Sequence, residues 1–162
     1  MFVRRPSLSI SLPVSLLLGA ALFVGCGKKE EKQLGAAAAA APIVLTGNDQ
    51  MQYSTKAIEV AAGSQVTLVM QNAGTMPKES MAHNFTLLKP GTVLADFGTK
   101  AMAAKATDYI PTGDPAVIVH TKLLGPGESD TIKFTAPPAG EYPYMCTFPG
   151  HFAVMNGILT SK

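Results

Sequence analysis

The sequence predicts an all-β domain, a sandwich or barrel of short strands. From Ile43 onward, short apolar runs are separated by clusters of Gly, Pro, Asn and Asp. The run from Gln65 to Gln71 alternates in a period of two, so that Val66, Leu68 and Met70 share one face. Many short strands with Gly and Pro between them are typical of sandwiches and barrels.

The other strands are predicted from the remaining apolar runs and the turn residues that end them, as in Gly125-Pro126-Gly127. They are placed at residues 43–45, 84–88, 117–120, 131–135, 142–145 and 157–160. Residues 93–106 interrupt this pattern because they are rich in alanine, the best helix former. They predict a short helical insertion between two strands.

The N-terminal segment has the pattern of a secretory signal. Arg4 and Arg5 precede an apolar run from Leu12 to Val24, and small residues lead to Cys26. The junction 22–26 resembles a bacterial lipobox, which predicts a lipoprotein signal peptide at 1–25 and lipidation of Cys26. The alternative is an ordinary cleavable signal with an incidental cysteine. Several acyl chains at roughly 0.8 kcal/mol per buried CH₂ would anchor the mature protein stably.

A polar and alanine-rich segment follows Cys26. Residues 27–33 are charged or polar, and Ala36–Ala41 lead to Pro42. An alanine run this short is marginal as an isolated helix in water. We therefore predict a flexible lipid-anchored tether at 26–42, and a folded domain at 43–162.

Charge excludes one class of partner. The chain has 13 basic and 11 acidic residues, and removal of Arg4 and Arg5 with the signal leaves 11 of each. Nucleic-acid binding depends largely on neutralisation of phosphates by basic side chains. A near-neutral protein without a basic stripe is therefore not expected to bind nucleic acid.

The segment from Tyr142 to Gly157 carries the chemistry. Cys146 is the only cysteine of the predicted domain, His151 follows five residues later, and Met155 four residues after that. A thiolate, an imidazole and a thioether together suit copper better than magnesium or calcium. A blue copper site needs one cysteine, two histidines and usually a distant methionine. The pattern therefore predicts a second histidine ligand elsewhere in the chain.

Two histidines outside the segment could complete this set. His83 lies at the entry to a predicted strand, whereas His120 lies inside an apolar strand and reads as a surface or hydrogen-bonded histidine. Spacing alone does not decide between them. With three histidines in total, the chain has too few ligands for a multicopper oxidase.

Five segments, taken in order, resemble the azurin family. They are NDQMQY at 48–53, MAHNF at 81–85, TDYI at 107–110, HTKLLGPGESD at 120–130 and CTFPGHFAVMNG at 146–157. The resemblance covers residues 43–162, and the lipobox and tether resemble lipid-modified azurins. It implies a cupredoxin fold, which is a Greek-key β-sandwich of about eight strands, and a type 1 blue copper protein that shuttles single electrons.

The resemblance also implies a role for each residue of the site. His83, Cys146 and His151 would bind one copper ion in a plane, and Met155 would be a weak axial ligand. The carbonyl of Ala82 would approach from the opposite side, where the family usually has glycine. Two residues would support the ligands: Asn84 by joining the two ligand loops, and Phe148 by directing its backbone N–H at the Cys146 sulfur. The histidine that many azurins have beside the site is replaced by Asn72.

An apolar surface patch around the edge of His151 would pass the electrons. Its candidate members are Met51, Met76, Phe148, Pro149 and Val154, whereas Met70 and Met102 are interpreted as core residues. The implied partners are redox proteins such as c-type cytochromes or copper-containing reductases. Weak redox encounters use small interfaces, below about 1,200 Å².

The leading hypothesis is therefore a membrane-tethered electron carrier of the bacterial cell envelope, facing the periplasm. It is not expected to be an enzyme, because no coordination position is left open for a substrate. Gly27 after Cys26 slightly favours the outer membrane. Two alternatives remain: a module that buffers or delivers copper, and a surface interaction protein that uses the fold as a scaffold.

Overall fold

The computed structural model describes residues 41–162. The predicted signal peptide, the lipidation at Cys26 and the tether up to residue 40 lie outside the described residues. Within the described part, eight strands form two sheets, which confirms the predicted fold class. The strands are β1 (Ile43–Gly47), β2 (Ala57–Val60), β3 (Gln65–Asn72), β4 (Thr86–Leu88), β5 (Val117–His120), β6 (Ser129–Thr135), β7 (Gly140–Met145) and β8 (Asn156–Ser161).

The two sheets mix parallel and antiparallel pairs. One sheet has the order β1-β3-β6 and the other β2-β8-β7-β4-β5. The β1/β3 and β2/β8 pairs are parallel, and the other pairs are antiparallel. Only β4/β5 and β7/β8 are consecutive strands; the other neighbours are not consecutive in the chain, so the chain crosses between the sheets.

The alternation predicted for β3 is confirmed. Val66, Leu68 and Met70 are buried on one face, and Met70 is a core residue as expected. Leu68 and Met70 belong to one core cluster with Tyr144 of the facing sheet and with Phe85, the residue before β4. This pairing of inner faces forms the main core of the sandwich.

The helical insertion is confirmed, with two short elements in place of one. Helix α2 spans Leu94–Met102, and a 3₁₀ turn spans Lys105–Thr107. The prediction that Met102 is a core residue is wrong, because the buried face of α2 carries Phe97, Gly98 and Ala101, and Met102 is 42% exposed.

Two elements had no individual prediction. Helix α1 (Lys78–Met81) is a single turn that leads into the His83 segment. Strand β2 is a four-residue edge strand that pairs only with β8, so its pattern is too short to be recognised. None of the helices in residues 41–162 has the length and apolarity needed to cross a bilayer.

Strand pairing explains why distant residues meet at one end of the sandwich. In the five-stranded sheet, Met145 at the end of β7 pairs with Thr86 at the start of β4 and with Asn156 at the start of β8. The residues just outside these three positions therefore emerge side by side. They are the segments around His83, Cys146 and Met155.

Candidate metal centre

Three potential metal donors converge at this end of the sandwich. One ligand atom each from His83, Cys146 and His151 lies within 4.8 Å of the other two, and all three residues are buried. The Cys146 Sγ atom is 3.5 Å from Nδ1 of His151. The two imidazole rings are 5.1 Å apart between centroids. His120 is exposed and does not belong to this group of donors; its Nδ1 atom lies 3.0 Å from the carbonyl oxygen of Thr121.

The hydrogen bonding of His83 leaves one nitrogen facing the cluster. Its Nε2 atom is 2.9 Å from the backbone oxygen of Asn48. A carbonyl can only accept, so Nε2 carries the proton and Nδ1 has a free lone pair. Nδ1 is buried, and among the described residues no group forms a hydrogen bond with it. Such a buried orphan costs about 1–3 kcal/mol, and a bound metal would remove that penalty.

The segment that carries Cys146 and His151 is closed by its own backbone. The N–H of Cys146 donates to the Met155 carbonyl at 3.0 Å, where β7 ends and β8 begins. The N–H of His151 donates to the Phe148 carbonyl at 3.1 Å, and the N–H of Met155 donates to the His151 carbonyl at 2.8 Å. We call residues 146–155 the ligand loop. These bonds place its three donor residues in one compact turn.

Met155 also lies beside His83. A Cβ atom built on Gly47 would be 2.7 Å from Cε of Met155 and 2.9 Å from Cδ2 of His83. Both side chains therefore approach the same glycine at the end of β1, and Met155 is fully buried. The thioether is thus available at the same end of the molecule as the other three donors.

The segment before His83 brings a carbonyl oxygen to the same place. The Ala82 oxygen lies 3.9 Å from the Cys146 Sγ atom. Ala82 has φ −77° and ψ 153°, an ordinary extended conformation that any residue adopts. The alanine methyl therefore requires no backbone strain at this position.

Asn84 connects the two ligand-bearing segments. Its Nδ2 donates to the Thr147 hydroxyl at 2.7 Å, and its Oδ1 accepts from the Thr147 N–H at 2.9 Å. Both residues are buried. A buried pair of this kind fixes one arrangement of the two segments, since breaking it leaves polar groups without partners.

Burial holds all three donor residues in their neutral forms at pH 7. It raises the pKa of Cys146 to about 12, against hydrogen bonds from the backbone of Asn84 and Phe148 that lower it. The pKa of His151 is lowered to about 4, mainly by burial and secondly by the charge of the neighbouring His83. Burial also lowers the pKa of His83, and contacts with Asn48 and Asp49 oppose that shift. Both imidazoles therefore offer lone pairs, while a metal must displace the thiol proton.

The donor set identifies the metal. One thiolate and two imidazoles with a weak thioether are the ligands of blue copper centres, whereas zinc sites are commonly closed by four strong ligands. A family model described as copper binding proteins, plastocyanin/azurin family, matches residues 40–162. This chain belongs to the plastocyanin/azurin family. Copper is accordingly its metal cofactor.

Relatives and solved structures agree with this assignment. The chain is 43% identical over 126 residues to an azurin of Pseudomonas denitrificans. The matched region covers 73% of this chain and 95% of that protein. It is 41% identical over 121 residues to outer membrane protein H.8 of Neisseria meningitidis, covering 72% of this chain. The match spans 64% of that protein's length. A dithionite-reduced auracyanin of Roseiflexus castenholzii has a TM-score of 0.69 at 33% identity, covering 76% of this chain and 98% of that one.

The residues of the predicted surface patch differ in exposure. Met76 and Val154 are 40% and 47% exposed, whereas Met51 and Pro149 are half-buried. Phe148 is only 8% exposed, because its ring packs against those of His151 and Tyr109. The ring centroids are 4.8 Å apart for the pair with His151 and 5.5 Å apart for the pair with Tyr109. Phe148 therefore contributes little surface, and the neighbouring His151 is itself only 3% exposed.

One carboxylate brings the Met51 and Met76 loops together. Asp49 accepts hydrogen bonds from the backbone N–H groups of Thr75 and Met76, and from the Thr75 hydroxyl. The hydrogen bond from the Thr75 backbone is the main reason why the pKa of Asp49 is lowered. Since the preceding residue, Asn48, contacts His83, both loops lie at the metal end of the domain.

Several supporting residues were not foreseen from the sequence. Asn48 fixes the tautomer of His83, and Gly47 lies against the side chains of Met155 and His83. Asn72 was expected beside the site, but its contacts were not: its amide donates to the carbonyls of Met81 and Leu124, and the Leu124 backbone pairs with that of His83. Only the proximity of these residues in space reveals such roles.

We expect acid to destabilise the copper-free protein through His151. Its pKa is about 4 in the folded protein and ordinarily 6.5. Between these values the unfolded chain binds a proton that the folded protein does not. The free energy of unfolding should therefore fall as the pH drops from 6.5 to 4, by at most about 3 kcal/mol. Urea titrations of the apo-protein across this range measure the slope.

A His151→Gln variant is the control for this slope. Carboxylates titrate in the same range in both proteins, so the difference between the two curves isolates His151. The variant should lose less stability than the unmodified protein as the pH falls. Parallel curves would contradict the prediction.

Proposed function

We propose that this protein is a one-electron carrier with a single type 1 copper site. The observation that supports the proposal is the bare Nδ1 of His83, facing Cys146 and His151 in a buried cluster. When bound, copper supplies the Cu(II)/Cu(I) couple. The protein contributes two neutral imidazoles and one thiolate, and it holds them on elements whose positions do not depend on the metal.

Each donor has a distinct role in this proposal. His83, Cys146 and His151 would be the main copper ligands, and the Met155 thioether and the Ala82 carbonyl would be weaker donors to the same ion. Asn84 holds the two segments together, and the backbone N–H of Phe148 stabilises the thiolate. Outer contacts of this kind orient ligands and tune a metal site.

Rigidity supports electron transfer in place of catalysis. The donors come from strand ends joined by backbone pairing and by the buried Asn84–Thr147 contact. Such a frame limits the movement that accompanies a change of oxidation state. All proposed coordination positions are taken by the protein, so no substrate position remains and the site is not an enzyme's.

The site of electron exchange is proposed at the metal end. Met51, Met76, Pro149 and Val154 form an apolar patch in front of Phe148 and His151, and redox proteins such as c-type cytochromes or copper-containing reductases dock there. The exposure of Met76 and Val154 supports this. The patch suits a brief encounter with a small interface.

We expect Val154→Lys to slow electron exchange with a cationic c-type cytochrome by roughly tenfold, because it places a like charge in an apolar contact. Val44→Lys is the matched control. Val44 is 52% exposed in β1, three residues and so about 10 Å from Gly47 at the metal end. It adds the same charge away from the patch. Stopped-flow measurements of both variants check the prediction, and equal rates would contradict it.

The same experiment separates electron transfer from copper delivery. A carrier keeps its copper through repeated oxidation and reduction by the cytochrome. Slow electron exchange together with ready loss of the ion to an acceptor would overturn the proposal in favour of a buffering or delivery module. A partner that binds apo- and copper-loaded protein equally would favour a scaffold role.

The proposed location is the bacterial cell envelope, with lipid on Cys26 and the domain facing the periplasm. The lipobox-like sequence at 22–26 supports it, together with the similarity to a protein named outer membrane protein H.8. Residues 26–42 would separate the domain from the membrane. Mass spectrometry of the mature N-terminus tests this, and an unmodified cysteine would contradict it.

A further inference from the structure

Helix α2 closely approaches the ligand loop at Gly98, which lies against Phe152. A Cβ atom built on Gly98 would lie 2.5 Å from Cδ1 and 2.6 Å from Cγ of Phe152. The phenyl ring therefore occupies the space of a side chain at position 98. Gly98 lies inside the helix and is not among the residues of positive φ, so no turn requires glycine there. Since glycine is a poorer helix former than alanine, the close approach of the ring is what accounts for glycine at this position.

The Phe152 ring belongs to a second apolar cluster beneath α2. This cluster contains the buried residues Leu88, Phe97, Ala101 and Met145. Met145 directly precedes Cys146, and Phe152 directly follows His151. The neighbours of two proposed ligands are thus packed in one cluster against the same helix.

A displacement of Phe152 would also move His151, because hydrogen bonds within the ligand loop connect the two residues to the rest of the loop. The His151 carbonyl accepts from the N–H groups of Val154 and Met155, and the Phe152 carbonyl accepts from Asn156 Nδ2 at 2.8 Å. Cys146, by contrast, follows the end of β7 and is fixed by the sheet. Movement of Phe152 would therefore change the separation between His151 and Cys146.

We infer that α2 is a positioning element for the copper site: Gly98 seats Phe152, and this contact sets His151 relative to Cys146. The inference rests on the proposed function in that these two residues are metal donors. The contact between helix and loop is a separate property, which can be measured in the absence of copper.

The test uses the full chain with Cys26→Ser in every variant, so that Cys146 is the sole thiol of the two cysteines in the sequence. The variants are Gly98→Ala, Phe152→Ala and the two combined. Thr99→Ala is the matched control, since it introduces alanine at an adjacent exposed position of the same helix. The measurements are the rate of copper loss to a chelator, the reduction potential, and the reaction rate of the apo-protein thiol with an aromatic disulfide reagent.

Gly98→Ala should speed copper loss roughly tenfold, in line with the effect of disrupting other residues that contact metal ligands. It should also shift the reduction potential. It should also raise the thiol reaction rate of the apo-protein, while Thr99→Ala stays within about twofold of the parent in each rate. Because the added methyl acts through the ring, the double variant should behave like Phe152→Ala alone. If Gly98→Ala fails to fold, the double variant should still fold.

Two results would overturn the inference. Either Gly98→Ala matches Thr99→Ala in all three measurements, or its effect persists unchanged when Phe152 is alanine. A Gly98→Ala chain and a double variant that both fail to fold would count against it equally. If the parent protein binds no copper, the proposed function fails, yet the thiol rates still decide whether the helix positions the loop.

Discussion

Cys146→Ser should abolish the intense blue absorption that the copper-loaded protein is expected to show. That colour arises from charge transfer between the thiolate and Cu(II), and no other cysteine lies in residues 41–162. Copper affinity should fall by more than the roughly 10–100-fold that follows loss of an outer contact, since a ligand itself is removed. Titration with Cu(II), followed by visible absorption, checks both expectations.

Cys26→Ser provides a matched control because it makes the same chemical change outside the folded domain. It should keep full colour and affinity. A buried hydroxyl at position 146 costs about 1–3 kcal/mol, so thermal melting of the apo-protein should verify that Cys146→Ser remains folded. A colourless parent protein, or colour that survives in Cys146→Ser, would refute the type 1 site.

The metal-binding segment could be predicted from the sequence because its information is local. Cys146, His151 and Met155 lie within ten residues, and their donor chemistry points to copper without any structure. The alternation of β3 and the alanine-rich insertion are also local patterns, and both were predicted correctly. Such patterns can be recognised in the sequence because an element with one buried face has apolar residues at the spacing of its own geometry.

The fourth donor could not be derived locally. His83 lies 63 residues before Cys146, and the pairing of Thr86 with Met145 is what brings them together. Pattern alone left His83 and His120 both open, and the family resemblance favoured the former. Topology therefore decides a ligand that composition and spacing do not.

Close contacts were the least predictable feature. Gly47 follows an apolar run, as a turn residue does, and no sequence pattern singled out Gly98, yet both positions lie against side chains of the metal end. Met102 shows the converse error, since an apolar residue in an amphipathic helix can face solvent when the phase of the helix is unknown. A glycine that makes room for a neighbouring side chain cannot be recognised from the sequence, because the neighbour is known only once the chain is folded.

Asn84→Ala should be the most damaging change that leaves every proposed ligand in place. It removes two hydrogen bonds in a fully buried setting and leaves the N–H and hydroxyl of Thr147 without those partners. We expect the free energy of unfolding to fall by about 2–4 kcal/mol. Copper affinity should fall roughly 10–100-fold, because the His83 and Cys146 segments are no longer joined. The blue colour should persist, since no ligand changes.

Thr147→Val separates the two bonds and is the matched control. It removes only the hydroxyl acceptor and keeps the bond from the Thr147 N–H to Oδ1 of Asn84, so it should lower stability by about 1 kcal/mol. The Tyr53 hydroxyl donates to the backbone oxygen of Asn84, a contact that both variants retain. Denaturation and copper titration of both variants give the comparison. If Asn84→Ala binds copper as tightly as Thr147→Val, the two segments are held in register by strand pairing alone, and Asn84 has no separate role in orienting the ligands.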